Sequence, residues 1–332
     1  LSYETILAKL DKKTRERVQK ASEIEIVKHP YASLGLTKIT GGGFAEGRIV
    51  LFYGARSTGK SAHIMQTVGQ QQLKGKTVAL IDAEGSYDPE FGARLGVNND
   101  ELIVNNAKSF AKAQEAGVDL IKAGIDILVI DSISNLIPDA FLDGEETKGA
   151  ENQKQIGVRA KSTGILLNSL HYNNDKTAIF VISQARMQLG AMHATMGFEG
   201  GKAMEHAASQ IIRLSASASE SMQIKGDVLN DAGRIVQKPI GREVSVYVDK
   251  NKLGAPSGTT KYNFFYDGDF IGIDTFGETI TLAVEAGVVE KGGAWLKYAG
   301  QQWQGAQKMS DALKSDLDLF EQIQKDVLAA NE

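Results

Sequence analysis

The run Gly54-Ala-Arg-Ser-Thr-Gly-Lys-Ser61 carries the sharpest chemical signal in this sequence. It fits the pattern G-x-x-x-x-G-K-[ST] without a mismatch. Gly54 and Gly59 let the backbone curl without Cβ clashes, so that N–H groups of Ala55, Arg56, Ser57 and Thr58 can turn toward an anion. A helix starting at the end of the loop adds the positive end of its dipole. Lys60 would reach the β- and γ-phosphates of a nucleoside triphosphate, and the Ser61 hydroxyl would ligate Mg2+. Two carboxylates would complete such a site. The apolar run Ile125-Asp-Ile-Leu-Val-Ile-Asp131 ends in acid, and Asp131 would hold the Mg2+ shell through water. Glu84, in Asp82-Ala-Glu-Gly85, follows another apolar run, where a carboxylate can orient and activate a water. A helix cap or a surface charge is the competing reading of Glu84.

These residues need strands behind them and helices beside them. Residues 49–53 are short, apolar and rich in β-formers, and residues 61–68 have helical spacing through Ile64, Met65 and Val68. His63 on that helix is expected to pack or to face solvent, not to bind a ligand. Residues 77–81, 102–104, 125–131 and 177–184 read as further strands, and 109–123 and 156–170 as helices. Residues 242–248 alternate as a strand, and 261–266 form another. The alternation predicts an α/β fold with a central, mostly parallel twisted sheet and a mixed edge.

Both ends differ from this core. From Phe276 onward the pattern predicts a small C-terminal α/β domain: a helix over 280–287, a strand over 295–298 and one amphipathic helix over 309–330. Leu313, Leu317, Phe320 and Val327 would share one face of that last helix. At the other end, residues 3–21 read as a helix and 22–27 alternate as a strand. This piece is either an extension packed on its own domain or an arm that adds a strand to a neighbouring subunit's sheet. The expected boundaries are 1–30 for the arm, 31–275 for the core and 276–332 for the small domain. Residues 143–154, 185–201 and 217–241 read as irregular.

Composition sets the outer limits. The chain has 332 residues, 42% hydrophobic and 23% charged, enough for one large core and a small extra domain. No apolar run approaches bilayer length and no signal peptide is visible, so no membrane partner is expected. The absence of cysteine excludes disulfide and thiolate chemistry and fits a cytoplasmic setting. Five histidines, none paired at ligand spacing, argue against zinc. A net charge of −4 gives no sign of nucleic-acid binding, which would have to come from a local basic surface. The chain begins at Leu1 and not at Met, which leaves room for residues before it.

Several stretches in order and spacing resemble the RecA family of homologous-recombination ATPases, the bacterial branch best. They are Gly47-Arg-Ile-Val50 with the phosphate loop, Ile81-Asp-Ala-Glu84, Asp88-Pro89, Ile130-Asp-Ser132, Ser183-Gln-Ala-Arg-Met187, Gly200-Gly201, Lys250-Asn-Lys252 with Ala255-Pro256, and Glu290-Lys-Gly-Gly-Ala-Trp295. The resemblance spans residues 37–328. It implies a RecA-like core and an ATP-dependent recombinase that forms helical filaments on single-stranded DNA. Such a protein pairs that strand with homologous duplex DNA and exchanges strands, hydrolysing ATP to ADP and phosphate at subunit interfaces. By position, Glu84 would activate water, Asp88 and Phe91 would lie near the adenine, and Gln184 would sense the γ-phosphate. Lys250 and Lys252 would reach the nucleotide of the adjacent subunit. Segments 143–158 and 186–202 would contact DNA. With these segments Arg159, Arg186 and Lys202 would supply cations, Gly200 and Gly201 backbone donors, and Leu189 and Met192 wedges between bases; disordered surface loops with ordinary charges are the competing reading.

The sequence also departs from the family. Arg56 stands where bacterial members usually carry an acid. The first DNA loop is a few residues longer, and Lys154 falls near a usual methionine. His206 replaces an aromatic residue and Glu205 a basic one, and the long acidic tail of many bacterial members is not seen. A divergent or phage-encoded member fits these features. Two other activities share such a core: a ring-forming helicase motor and a catalytically weak ATP-gated DNA-binding scaffold. The first is expected to use an arginine finger where this chain offers Lys250 and Lys252.

Overall fold

The computed structural model describes residues 2–16, 18–142, 153–188, 195–216, 222–229, 234–268 and 270–330. The chain opens with two short helices, α1 (Tyr3–Ala8) and α2 (Lys12–Arg15), where one was expected. Asp11 breaks the run by capping the second helix, accepting from the Thr14 N–H at 3.0 Å. Arg15 then closes the first helix by donating to the carbonyls of Leu7, Ala8 and Leu10. The strand expected over 22–27 is not formed within the chain. Residues 21–23 make a single tight turn, and 24–27 belong to no strand among the described residues, leaving Ile24, Ile26 and Val27 exposed.

A small antiparallel pair, β1 (Lys28–His29) with β2 (Phe44–Ala45), flanks α3 (Leu34–Ile39) and leads into the main sheet. Its first strands, all parallel, are β3 (Ile49–Gly54), β4 (Val78–Asp82), β5 (Leu102–Asn105), β6 (Ile127–Asp131) and β7 (Ala178–Gln188). Between these strands run α4 (Lys60–Gln72), α5 (Pro89–Arg94), α6 (Phe110–Lys122) and α7 (Gln153–Tyr172). Then come β8 (Thr195–Phe198), α8 (Gly201–Ala207), β9 (Gln210–Ala216), β10 (Gln223–Leu229), β11 (Ile235–Asn251), β12 (Gly258–Phe265) and β13 (Gly272–Ile273). The order across the sheet is β13-β12-β11-β9-β3-β7-β6-β4-β5, with β10 paired to β11 and β8 to β7. The strands from β9 to β5 run parallel, and β11, β12 and β13 form the antiparallel edge.

The central strands are nearly continuous apolar runs because both faces are covered. Val50, Phe52, Phe180 and Ile182 face one way and pack with Ile64 and Val68 of α4. Leu51, Ile81, Leu128 and Val181 face the other way and pack with Phe110 of α6 and Leu166, Leu167 and Leu170 of α7. Each such side chain contributes about 1.5–3 kcal/mol on burial. His63 is fully buried, 2.9 Å from the Tyr262 hydroxyl, and burial pushes its imidazole down to about 3. It is a neutral packing residue.

Three stretches expected to be irregular are partly regular. Residues 153–158 form the first turns of α7. Residues 186–188 pair with 195–197 as a hairpin, and Gln223–Leu229 pairs with the first half of β11. In the two hairpins glycine and charged residues interrupt the apolar alternation, so the backbone pairing has no periodic signal in the sequence.

The small domain comprises α9 (Thr275–Glu285), β14 (Glu290–Gly292), β15 (Trp295–Tyr298), β16 (Gln301–Gln304), α10 (Gly305–Ser315) and α11 (Leu317–Ala329). The single helix expected over 309–330 is two, because Asp316 leaves helical geometry and caps α11 through the Leu319 N–H at 3.0 Å. Leu317 is therefore exposed, while Met309, Leu313, Ile323 and Val327 fill the core with Ile280 and Leu34 of α3. Glu278 of α9 reaches into the main domain. It accepts from the Ser33 hydroxyl at 2.5 Å and from the Leu34 and Gly35 N–H groups at 3.0 and 3.1 Å.

Candidate nucleotide site and DNA-facing segments

Strand register assembles the site. Gly54 pairs with Gln184 across β3 and β7 and with Leu214 across β3 and β9, and Asp82 pairs with Asp131 across β4 and β6. The carboxyl ends of β3, β4 and β6 therefore lie along one edge, which β7 and β9 run past, and this is the edge at which parallel α/β sheets bind ligands. A cavity of about 540 Å³ opens there, lined among others by Arg56, Gly59, Lys60, Ser61, Glu84, Asp131 and Gln184. A larger one, about 820 Å³, lies in the crevice between β11, β12, α3 and α9 and includes none of these residues.

The glycines of the loop are dictated locally. A Cβ on Gly54 would stand 2.3 Å from the Leu214 carbonyl oxygen, and Gly59 has φ 86°, which favours glycine. Gly59 caps α4, so the helix's unpaired N–H groups open onto the cavity. Thr58 Oγ1 donates to the Ala55 carbonyl at 3.0 Å, and Lys60 Nζ donates to the carbonyls of Gly54 and Ala55 at 3.1 and 2.8 Å. Burial lowers the Lys60 pKa, while the charges of Asp131 and Glu84 oppose that shift.

The acids sit opposite. Burial pushes Asp131 up to about 6, and Glu84 and Asp82 push the same way, against a hydrogen bond from Ser61 and the charge of Lys60. A carboxylate so destabilised beside a serine hydroxyl fits a divalent cation, which would favour its ionised form. Among the described residues no group of three or more imidazole or carboxylate side chains gathers to hold a metal alone. The donor set therefore fits Mg2+ bound through one or two protein ligands plus substrate phosphates. Glu84 is exposed on a loop that Asp82 shapes. Asp82 accepts from the N–H groups of Gly85, Ser86 and Tyr87 at 2.7, 3.2 and 3.0 Å, and Lys108 donates to the carbonyls of Asp82 and Ala83.

Gln184 is held by its own backbone: its N–H donates to Ser134 Oγ at 3.0 Å, and its side-chain oxygen accepts from Arg56 Nε at 3.4 Å. Asp88 caps α5 through the N–H groups of Glu90 and Phe91, and both Asp88 and Phe91 line a smaller cavity beside Ser61 and Asp131. Lys250 and Lys252 do not line this chain's own cavity. They donate instead to the carbonyls of Glu205 and His206 at the end of α8.

The DNA-facing expectations divide. Leu189 and Met192 lie outside the described residues. Arg186 is on β7 in register with Gly197 of β8. Lys202 is exposed at the start of α8, whose cap is Gly200. Gly200 also has a packing reason: its φ is 98°, and a Cβ there would stand 2.9 Å from Thr163 of α7. Gly201 has φ 54° and open space around it. Arg159 is engaged within the fold, donating to the carbonyls of Ser134 and Leu136 at 3.3 and 3.2 Å. It steadies the segment that holds Gln184.

Several contributors have no local signature. Arg242 donates to the Ser57 carbonyl at 2.6 Å and lies over the Tyr266 ring, 5.6 Å from its centroid. Tyr53 precedes the phosphate loop, packs edge-on against Phe198 of β8 and donates to Asp249 at 2.5 Å. Burial and Asp249 both raise the Tyr53 pKa. This one side chain joins the phosphate strand, the β7–β8 hairpin and the strand carrying Lys250.

Comparison with known proteins agrees along the chain. The family model described as RecA N-terminal domain matches residues 3–271, and the one described as RecA C-terminal domain matches residues 277–332. The chain belongs to the RecA family. It is 33% identical over 313 residues to Protein RecA of Fusobacterium nucleatum, covering 93% of this chain and 78% of that one. It is 31% identical to Protein RecA of Caulobacter vibrioides over 334 aligned positions, covering 98% and 88%. For Protein RecA of Lactococcus lactis the identity is 33% over 296 residues, covering 87% and 72%. Membership carries the α/β fold and the activity read from the motifs, that of an ATP-dependent recombinase and DNA-dependent ATPase. Among the described residues no helix is long and apolar enough to cross a membrane.

Proposed function

We propose that ATP is bound and hydrolysed at the Gly54–Ser61 cradle and that the state of its terminal phosphate controls a grip on single-stranded DNA. The observation that supports this best is the strand register, which brings the phosphate loop, Glu84, Asp131 and Gln184 to one edge. Lys60 and the loop N–H groups hold the β- and γ-phosphates. Mg2+, when bound, neutralises phosphate charge, with Ser61 and Asp131 as the protein's share of its shell. Glu84 orients a water and accepts its proton, and Asp88 and Phe91 flank the base. Gln184 passes the state of the site along β7 into the hairpin that carries Arg186, with Lys202 just beyond it. Duplex DNA is the second substrate, and the cytoplasm is the place of work.

Assembly completes the site in this reading. Residues 1–30 serve as the arm, 31–275 as the core and 276–332 as the small domain. Among the described residues Ile24, Ile26 and Val27 are exposed and belong to no strand, and β5 is an open edge with exposed Ile103 and Val104. An arm that adds to a neighbour's β5 would cover both. Lys250 and Lys252 then act on the neighbouring nucleotide.

Electron microscopy with ATP and single-stranded DNA, alongside a strand-exchange assay, tests the proposal. Helical filaments and exchanged product are expected. Closed rings without exchange would overturn it.

A further inference from the structure

Arg56 is a cation in the middle of the phosphate loop that the proposed function leaves unused, and its surroundings give it a use. It lies in the phosphate loop, is exposed, and lines the cavity of about 540 Å³ together with Lys60, Glu84, Asp131 and Gln184. Its Nε donates to Gln184 Oε1 at 3.4 Å, which carries the guanidinium to β7 at the residue opposite the end of β3. The guanidinium makes no other hydrogen bond among the described residues, so its two Nη groups are available.

The backbone around Arg56 is pinned on both sides. Ala55 accepts from Lys60 and from Thr58 Oγ1 at 2.8 and 3.0 Å. Ser57 sits in the left-handed region at φ 57°, a conformation costly for a residue with a Cβ, and its carbonyl is held by Arg242 Nη2 at 2.6 Å. A solvated surface arginine needs neither constraint. An arginine meant to meet a ligand gains from both, since less freedom is lost on binding.

We propose that Arg56 contacts the terminal phosphate of the bound nucleoside triphosphate from within the same subunit, and that it makes the site prefer triphosphate to diphosphate. The inference rests on the reading of this cavity as the ATP site. Lys60 is drawn in against the loop carbonyls, whereas Arg56 reaches Gln184, where β7 runs past the end of β3. A phosphate that engages the free fork of the guanidinium there touches the partner of Gln184 directly. Nucleotide state is thus felt at β7 through a charged contact as well as through the glutamine itself. Arg242 is a positioning residue in this scheme, acting through Ser57.

The test measures dissociation constants for the hydrolysis-resistant triphosphate AMP-PNP and for ADP, each with Mg2+, by displacement of a fluorescent nucleotide from the 332-residue chain. Wild type is compared with Arg56→Ala, Arg56→Lys and Lys60→Ala, with circular dichroism to confirm folding. Arg56→Ala should weaken AMP-PNP by about 10- to 100-fold, as loss of a charge-assisted contact implies, while ADP changes less than about twofold. Arg56→Lys should recover part of the loss. Equal weakening of both nucleotides by Arg56→Ala would make the residue a shaper of the loop and overturn the proposal. So would no change in either, if Lys60→Ala still loses both. Retention of both nucleotides by Lys60→Ala would instead sink the reading of the cavity on which the proposal stands.

Discussion

Replacing Lys250 and Lys252 together by alanine separates two roles that differ by orders of magnitude. Within the chain both lysines serve the end of α8 by donating to the carbonyls of Glu205 and His206. Cations at a helix C-terminus contribute about 0.3–1 kcal/mol each, so a purely local role caps the loss near 2 kcal/mol. In a chain of 332 residues that moves the melting temperature by only a few degrees and leaves the protein folded at 25 °C. A cation supplied to a neighbour's γ-phosphate is worth about 10³-fold or more in turnover, roughly 4 kcal/mol of barrier. The assay is ATP hydrolysis with saturating single-stranded DNA, set beside ADP affinity and a thermal melt. Turnover should collapse while ADP affinity and folding persist. A second arm mixes this variant with Glu84→Gln. Each supplies what the other lacks, so random head-to-tail mixing at equal amounts restores about a quarter of the interfaces. No recovery at any ratio, or turnover that only follows the melt, would refute the action in trans.

Three further outcomes are expected. Lys60→Ala should weaken ADP and AMP-PNP alike by at least about tenfold in equilibrium titration, because it deletes the charge beside the loop carbonyls. Arg186→Ala with Lys202→Ala should lower single-strand affinity and flatten its dependence on salt by about one or two in the log–log slope, and an unchanged slope would place the DNA elsewhere. Burial holds Glu278 up at about 7, above its ordinary 4.5, despite hydrogen bonds from Ser33, Gly35 and Leu34. A carboxyl group raised on folding stabilises most below its unfolded pKa, and that stabilisation is lost as pH rises through 7. Denaturant titrations of Glu278→Gln should therefore show a smaller loss of stability between pH 4.5 and 7.5 than wild type, by roughly 3 kcal/mol, and identical pH profiles would contradict the buried assignment.

Local patterns made part of this site legible and hid the rest. The phosphate loop is a contiguous eight-residue pattern, and the apolar runs before Glu84 and up to Asp131 read as buried strands, which they are. Both signals survive without knowledge of the fold. The arm broke where Asp11 and Arg15 satisfied helix ends, and the last helix broke at Asp316, because a side-chain cap can end an otherwise periodic run. The β7–β8 and β10–β11 hairpins were hidden because glycines, a proline and charged residues interrupt the apolar alternation of the paired segments. Arg242 lies 185 residues from Ser57 in sequence, so only the sheet order brings them together. Arg159 was expected among the DNA contacts from its charge; its donation to the Ser134 and Leu136 carbonyls, more than twenty residues away in sequence, is set by the fold and has no local signature.

Glu84→Gln tests the central claim most directly, in one sample containing ATP and single-stranded DNA. The amide keeps the shape of the side chain on its Asp82-braced loop but cannot accept a proton from water. Phosphate release should fall by on the order of 10² or more, while electron micrographs of the same sample show long-lived helical filaments on DNA. Wild-type phosphate release from that sample would mean that Glu84 is a structural carboxylate and that the water is activated elsewhere.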